Sequence, residues 1–147
     1  MAEPEVTGGM PSNQELRSIL GEARTIAVVG LSSDPGRPSY RVAKYLQSKG
    51  YRIVPVNPNQ TEVLGESAYP DLRAIPSDVT IDVVDVFRRA EETPEVARAA
   101  VEIGAKVLWL QSGIVNEGAF RIGEEGGLDV VMGACIHDAS VRLEEGS

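Results

Sequence analysis

Five short apolar runs recur along the chain, three of them followed by a turn and by helix-forming sequence. They are Thr25 to Val29, Arg52 to Val56, Ile81 to Phe87, Lys106 to Leu110 and Leu128 to Met132. A run that is apolar at consecutive positions, not at every second one, suits a strand buried on both faces. Strands of that kind belong to parallel sheets, whose neighbours are joined by crossovers that cover the faces. The intervening segments supply the crossovers. One helix opens at Pro38-Ser39 and ends before Gly50, with Val42, Ala43 and Leu46 inward. Another opens at Thr93-Pro94 and stops at Gly104, with Val96, Ala100 and Val101 inward, and a third is capped by Asn116 and reaches Gly126-Gly127. The pattern predicts an α/β fold: a Rossmann-like, doubly wound, parallel five-stranded sheet in three αβα layers, with strand order 3-2-1-4-5.

The remaining segments fill in the domain. Ser12-Asn13-Gln14-Glu15 has capping-box spacing, and Leu16, Ile19 and Leu20 form a stripe behind it, so a short helix is expected from Ser12 to Gly21. Met1 to Pro11 reads as a flexible tail, and residues 12–147 as a single domain, since 147 residues fit one domain. Pro55 removes a ladder donor from the second strand. Thr61 to Ser77 reads as irregular, with a short helix near Leu72, and the stretch from Gly133 onward as a tail with one helical turn.

Charge and rare residues exclude several classes. Fourteen basic residues against 22 acidic ones give −8, a poor balance for general nucleic-acid or anionic-membrane binding. No apolar run approaches the ~20 residues of a membrane span, and the acid-bearing N-terminus is not a signal peptide. The single cysteine, Cys135, excludes an internal disulfide and a cysteine-based zinc site, and the single histidine, His137, limits metal and triad chemistry. The expected address is the cytoplasm, with no metal.

In doubly wound sheets ligands sit beyond the carboxyl ends of the strands, at the point where the two halves diverge. The segment Gly30-Leu31-Ser32-Ser33-Asp34-Pro35-Gly36-Arg37-Pro38-Ser39 leads from a buried strand into a helix N-terminus, where backbone N–H groups and the dipole suit phosphate. Ser32, Ser33 and Ser39 add hydroxyls, and Arg37 adds charge. No acid occurs between Pro35 and Thr61, yet Arg37, Arg41, Lys44, Lys49 and Arg52 do. Phe87-Arg88-Arg89 follows the third strand: paired arginines can clamp a phosphate, and Phe87 can pack on a ring. The plainer reading of Arg89 is pairing with Glu91 and Glu92, and that of Lys44 and Lys49 is a solvated helix face. Gln111-Ser112-Gly113 offers a polar turn, or merely a strand-to-helix connector.

Several signatures are missing. Only Gly30 fits a G-x-G-x-x-G fingerprint, and the second strand ends in Asn57, not in an acid for a ribose. NAD is disfavoured, NADP less firmly, because arginines can take its 2′-phosphate. There is no G-x-x-x-x-G-K-[ST]. Cys135 and His137, two apart, are expected to face away from each other. Asp82 and Asp85 fall on opposite faces of their strand, so they form no carboxylate pair; Asp85 is either a site residue or bonded to a neighbouring loop. Trp109 and Tyr69 read as core.

Five motifs, in order, resemble the small stand-alone CoA-binding proteins called YccU-like. They are Ala27-Val28-Val29-Gly30-Leu31-Ser32; Arg37-Pro38-Ser39-Tyr40-Arg41-Val42-Ala43; Val54-Pro55-Val56-Asn57-Pro58; Asp82-Val83-Val84-Asp85-Val86-Phe87-Arg88-Arg89; and Leu108-Trp109-Leu110-Gln111-Ser112-Gly113-Ile114-Val115-Asn116-Glu117. The resemblance covers Leu16 to Ile136. It implies a Rossmann-like fold akin to the CoA-binding domain of succinyl-CoA ligase alpha subunits, and coenzyme A or a short acyl-CoA as ligand. It implies that Gly30, Leu31, Ser32 and Ser33 cradle the pyrophosphate and that Arg37 and Ser39 assist. Asn57 and Pro58 would border the adenosine end, Phe87 and Arg88 the path of the nucleotide or pantetheine, and Gln111 and Gly113 the turn closing the site. The family places a basic residue before its cysteine, where this chain has Gly133-Ala134-Cys135-Ile136. The ligases' phosphorylated histidine has no counterpart here, so the expected role is non-catalytic CoA binding. The alternative is an NADP- or other nucleotide-dependent enzyme or subunit completed by a partner.

Overall fold

The computed structural model describes residues 11–145. The expected tail, Met1 to Pro11, therefore lies, apart from Pro11, outside the described residues. Strands β1 (Thr25–Val29), β2 (Arg52–Val56), β3 (Val83–Val86), β4 (Val107–Leu110) and β5 (Asp129–Val131) form one sheet in which every pairing is parallel. Their order is 2-1-3-4-5, not the expected 3-2-1-4-5. Pro55 carries the reason. Its carbonyl accepts from the Tyr69 N–H at 3.0 Å, on the side away from β1. The N and O of one strand residue point to the same edge, so the missing donor of Pro55 faces outward and marks β2 as an edge strand. Beyond β2 lie only a bridge from Tyr69 to Val56 and a hairpin pairing Glu62–Val63 with Glu66–Ser67. The chain then turns back through a 3-10 turn, Leu72–Ala74, and enters β3 on the other side of β1.

The sheet is buried on both faces. On one, Ile26, Val28, Ile53, Val83, Val107 and Trp109 meet α1 (Asn13–Glu22), α2 (Pro38–Ser48) and α5 (Ile136–Glu145). On the other, Ala27, Val29, Val54, Val84 and Leu108 meet the Leu72 turn, α3 (Thr93–Glu102) and α4 (Glu117–Glu125). The expected capping box is present: the Ser12 hydroxyl accepts from the Glu15 N–H at 3.1 Å, and Glu15 Oε1 accepts from the Ser12 N–H at 2.8 Å. The C-terminal segment is a ten-residue helix, α5, and not one turn. Its buried face, Ile136, Ala139, Ser140 and Leu143, repeats at helical spacing. Two of those side chains, Ala139 and Ser140, are small, so the stripe is faint in sequence. Tyr45 of α2 secures the helix by a 2.9 Å hydrogen bond to Ser140.

Gly30 fixes the point where the chain leaves the sheet. Its φ is +88°, and a Cβ there would lie 2.3 Å from the Phe87 carbonyl oxygen. Gly30→Ala therefore destabilises the fold by more than about 2 kcal/mol, combining a left-handed backbone with a clash against main chain. Gly113→Ala shares the positive φ, +83°, but meets no atom within 4 Å, and costs about 1 kcal/mol. Urea unfolding of both variants checks this; equal losses would contradict the role given to the Phe87 contact.

Candidate functional site

The loops at the carboxyl ends of β1, β2 and β3 meet where the chain leaves β1 and β3 for opposite faces of the sheet. The β1 loop is held by its own polar groups. Ser39, buried at the start of α2, accepts from the Ser32 N–H at 3.0 Å. The Ser32 hydroxyl accepts from the Asp34 N–H at 3.0 Å, Asp34 Oδ1 accepts from the Gly36 N–H at 2.9 Å, and Arg41 Nη1 donates to the Gly36 carbonyl at 2.7 Å. Both serine oxygens act as acceptors, which leaves their hydroxyl protons free to donate. Among the described residues, the N–H groups of Leu31, Ser33 and Ser39 have no hydrogen-bond partner. Helix α2 begins at Arg37 without a side-chain cap and carries no acid in its first turn. Ser12 caps α1 and Asn116 caps α4, while α3, also without a side-chain cap, has Glu95 in its first turn. An uncapped N-terminus with free amides and an exposed arginine favours an anion.

The β2 end joins this rim. Asn57 Nδ2 donates to the Leu31 carbonyl at 3.0 Å, and its Oδ1 accepts from the Asn59 N–H at 2.9 Å, which leaves Pro58 exposed on the turn. The structure thus brings Gly30, Leu31, Ser32, Ser33, Arg37, Ser39, Asn57 and Pro58 to one rim. Phe87 and Arg88 diverge. Phe87 packs with the α2 side, while Arg88 lines a cavity of about 340 Å³ on the α3 side, floored by Val29 and Val56 and walled by Leu72, Arg73 and Val96. Arg88 is one-third exposed and stands 3.6 Å from Glu92. Arg89 pairs with Glu92 at 3.0 Å and Glu91 at 3.7 Å, as its plainer reading had it. Lys49 likewise pairs with Glu144, at 3.0 Å. The Leu72 turn and Arg73, which wall the cavity, carried no signal in the sequence beyond a short helix. Arg73 is itself tied to Glu102 and Glu95.

Gln111 points inward. It is 3% exposed, and its Nε2 donates to Asp85 Oδ1. Gly113 sits on an open turn beyond it. Of the two readings for Asp85, the bond to a neighbouring loop is the one observed. Trp109 is core, as expected, and donates from Nε1 to the Ala134 carbonyl at 2.8 Å. One expectation is overturned: ligand atoms of Cys135, His137 and Asp138 all lie within 4.8 Å of one another. Cys135 precedes α5, with its carbonyl taking the Ala139 N–H at 2.9 Å, so the rule that i and i+2 diverge inside an element does not apply to it.

No helix among the described residues is long and apolar enough to cross a membrane. The fold is that of a Rossmann-like domain, and the β1 loop stands at the switch point of its sheet. The profile of the CoA binding domain family matches residues 24–138, and the chain belongs to that family. The uncharacterized protein YneT of Bacillus subtilis (strain 168) is 47% identical over 126 residues, covering 86% of this chain and 92% of that one. A hypothetical protein from Pyrococcus horikoshii OT3 superposes with a TM-score of 0.89 at 38% identity, over 98% of this chain and 99% of that one. The ADP-forming acetate–CoA ligase II subunit alpha of Pyrococcus furiosus is 34% identical over 106 residues, which are 70% of this chain and only 21% of the ligase.

Two aspartates three residues apart have opposite electrostatics. Burial would raise the pKa of Asp82, but N–H groups of Thr25 and Arg24 and the Lys106 ammonium outweigh it and lower the value. Asp85 is fully buried, and burial pushes its pKa up to about 8 against a small opposing pull from Gln111. A carboxyl that keeps its proton only in the folded chain stabilises the fold most below the ordinary carboxylate range. That contribution is lost as pH rises toward about 8. Urea unfolding from pH 5 to 9 therefore shows wild-type stability falling with pH, and Asp85→Asn removes that slope. Parallel profiles for the two proteins would rule out a protonated Asp85.

Proposed function

We propose that the chain is a non-catalytic holder of coenzyme A or a short acyl-CoA. The observation that carries this reading is the β1 loop: three N–H groups without a partner among the described residues, two serine hydroxyls and Arg37 around an uncapped helix N-terminus. In this reading Gly30 to Ser33 take the pyrophosphate, with Arg37 and Ser39 beside them. Asn57 and Pro58 border the adenosine end. Phe87 and Arg88 flank the ligand from opposite sides, and the apolar floor of the adjacent cavity suits a base or an acyl chain. Gln111 and Gly113 form the closing turn, Gln111 by supporting it from inside. Membership of the CoA-binding domain family supports the choice of CoA over NADP. The acidic composition and single cysteine fit a cytoplasmic protein without nucleic-acid partners. The single-domain reading of residues 12–147 belongs to the same proposal.

A second reading follows from the ligase relative, in which the matched segment is 21% of a longer protein. Here the chain presents CoA to a partner that supplies catalysis.

Calorimetric titration with CoA, dephospho-CoA, NADP and NAD tests the proposal. CoA binds most tightly, and Arg88→Ala weakens it by about 1.5–3 kcal/mol, roughly 10- to 150-fold, as for a lost charged hydrogen bond. Binding of NADP without binding of CoA would overturn the proposal. Turnover of an acyl-CoA by the isolated chain would overturn its non-catalytic part.

A further inference from the structure

We infer that Asp85 is a positioning residue for the ligand edge: held as a neutral acid inside the sheet, it orients Gln111, and Gln111 holds the entry to α5 together with the Gly133–Cys135 loop. The bearing of this on ligand rests on the CoA reading; the positioning itself does not. Asp85 is 0% exposed and lies between Val28 of β1 and Trp109 of β4. Its Oδ1 accepts from Gln111, while Oδ2 is buried with no partner among the described residues. Among the described residues Gln111 is its one polar side-chain partner, and a buried carboxylate without counter-charge or full hydrogen bonding is strongly disfavoured. The neutral form is the one this environment accepts.

Among the described residues Gln111 is the side chain that links Asp85 to the next loop. Its Oε1 accepts from the Ile136 N–H, the first amide of α5, at 3.4 Å. A backbone N–H can only donate, so Oε1 must face Ile136 and Nε2 must face Asp85; the amide has one workable orientation. Two further bonds tie the end of β4 to the same loop. The Gly133 N–H donates to the Leu110 carbonyl at 3.0 Å, and Trp109 Nε1 donates to the Ala134 carbonyl at 2.8 Å. Neither of those needs Asp85. The Gln111 bond does, because without the Asp85 acceptor its NH₂ is buried unpaired and the side chain has reason to swing away. The turn at Gly113 and the loop at Gly133–Cys135 both stand at the carboxyl edge of the sheet, where the proposed ligand lies.

Amide hydrogen exchange of the wild type, Asp85→Asn, Asp85→Leu and Gln111→Leu tests the inference, with the Val28 amide of β1 reporting global stability. Asn keeps an acceptor oxygen without a charge. Ile136 exchange in Asp85→Asn should therefore match wild type, while both leucine variants speed it by roughly tenfold or more relative to Val28. CoA affinity, measured on the same proteins, falls at least about fivefold in the leucine variants and is kept in Asp85→Asn. Gln111→Asn, one carbon shorter, gives the same readouts should a leucine variant not fold. Unchanged relative exchange at Ile136 in the leucine variants would overturn the inference. So would an Asp85→Asn protein that behaves like Asp85→Leu, since that would require the charge. If wild type binds no CoA, the CoA reading fails, and the exchange data still decide the positioning role.

Discussion

At the end of β1 the chain passes so close to the Phe87 carbonyl that only a residue without a Cβ can stand there. This contact between Gly30 and Phe87 sits where the sheet divides. From Gly30 the chain goes to α2 on one face; from Phe87 it goes to α3 on the other. The strands are drawn together there and their continuations part to opposite faces, which makes this the switch point of the sheet. The serine-rich loop, Asn57 and Arg88 all take their positions from that divergence.

Polar groups in this structure follow one physical rule with two outcomes. Asp82, at the amino ends of the strands, gathers two backbone N–H groups and a lysine and stays ionised at neutral pH. Asp85, three residues on, is sealed between apolar neighbours and given one amide. Burial then decides its state, because a single neutral donor cannot replace hydration of a charge. The β1 loop shows the converse arrangement. An acidic chain keeps the stretch between Pro35 and Thr61 free of acids and leaves the helix end there uncapped. Arg37 and Arg41 stand beside the loop proposed to hold the ligand's phosphates.

Much of this was legible in the sequence. The strands declared themselves by apolar runs, the helices by caps and glycine stops, and the loop by its place between them. The strand order was misread, although Pro55 held the clue: a residue without a donor belongs at an edge, and β2 is an edge. The sequence shows only one turn of α5 because its buried face includes Ala139 and Ser140, which give little hydrophobic contrast. Cys135 and His137 were expected to diverge, a rule valid within a helix but not across its start. The cavity beside Arg88 was invisible for a different reason. Its walls come from Leu72 and Arg73 on one segment and Val96 on another more than twenty residues away, and only tertiary folding brings them together.

The measurement closest to the central claim is amide chemical-shift mapping of the ¹⁵N-labelled protein during titration with CoA. If the loop holds the pyrophosphate, the largest shifts fall on Leu31, Ser33 and Ser39, whose N–H groups lack partners among the described residues. Smaller shifts follow at Asn57 and Arg88, and the Asp82 end of the sheet stays unmoved. Shifts gathered at that opposite end, or saturating CoA binding with Leu31, Ser33 and Ser39 unperturbed, would contradict the assignment of the β1 loop as the ligand site.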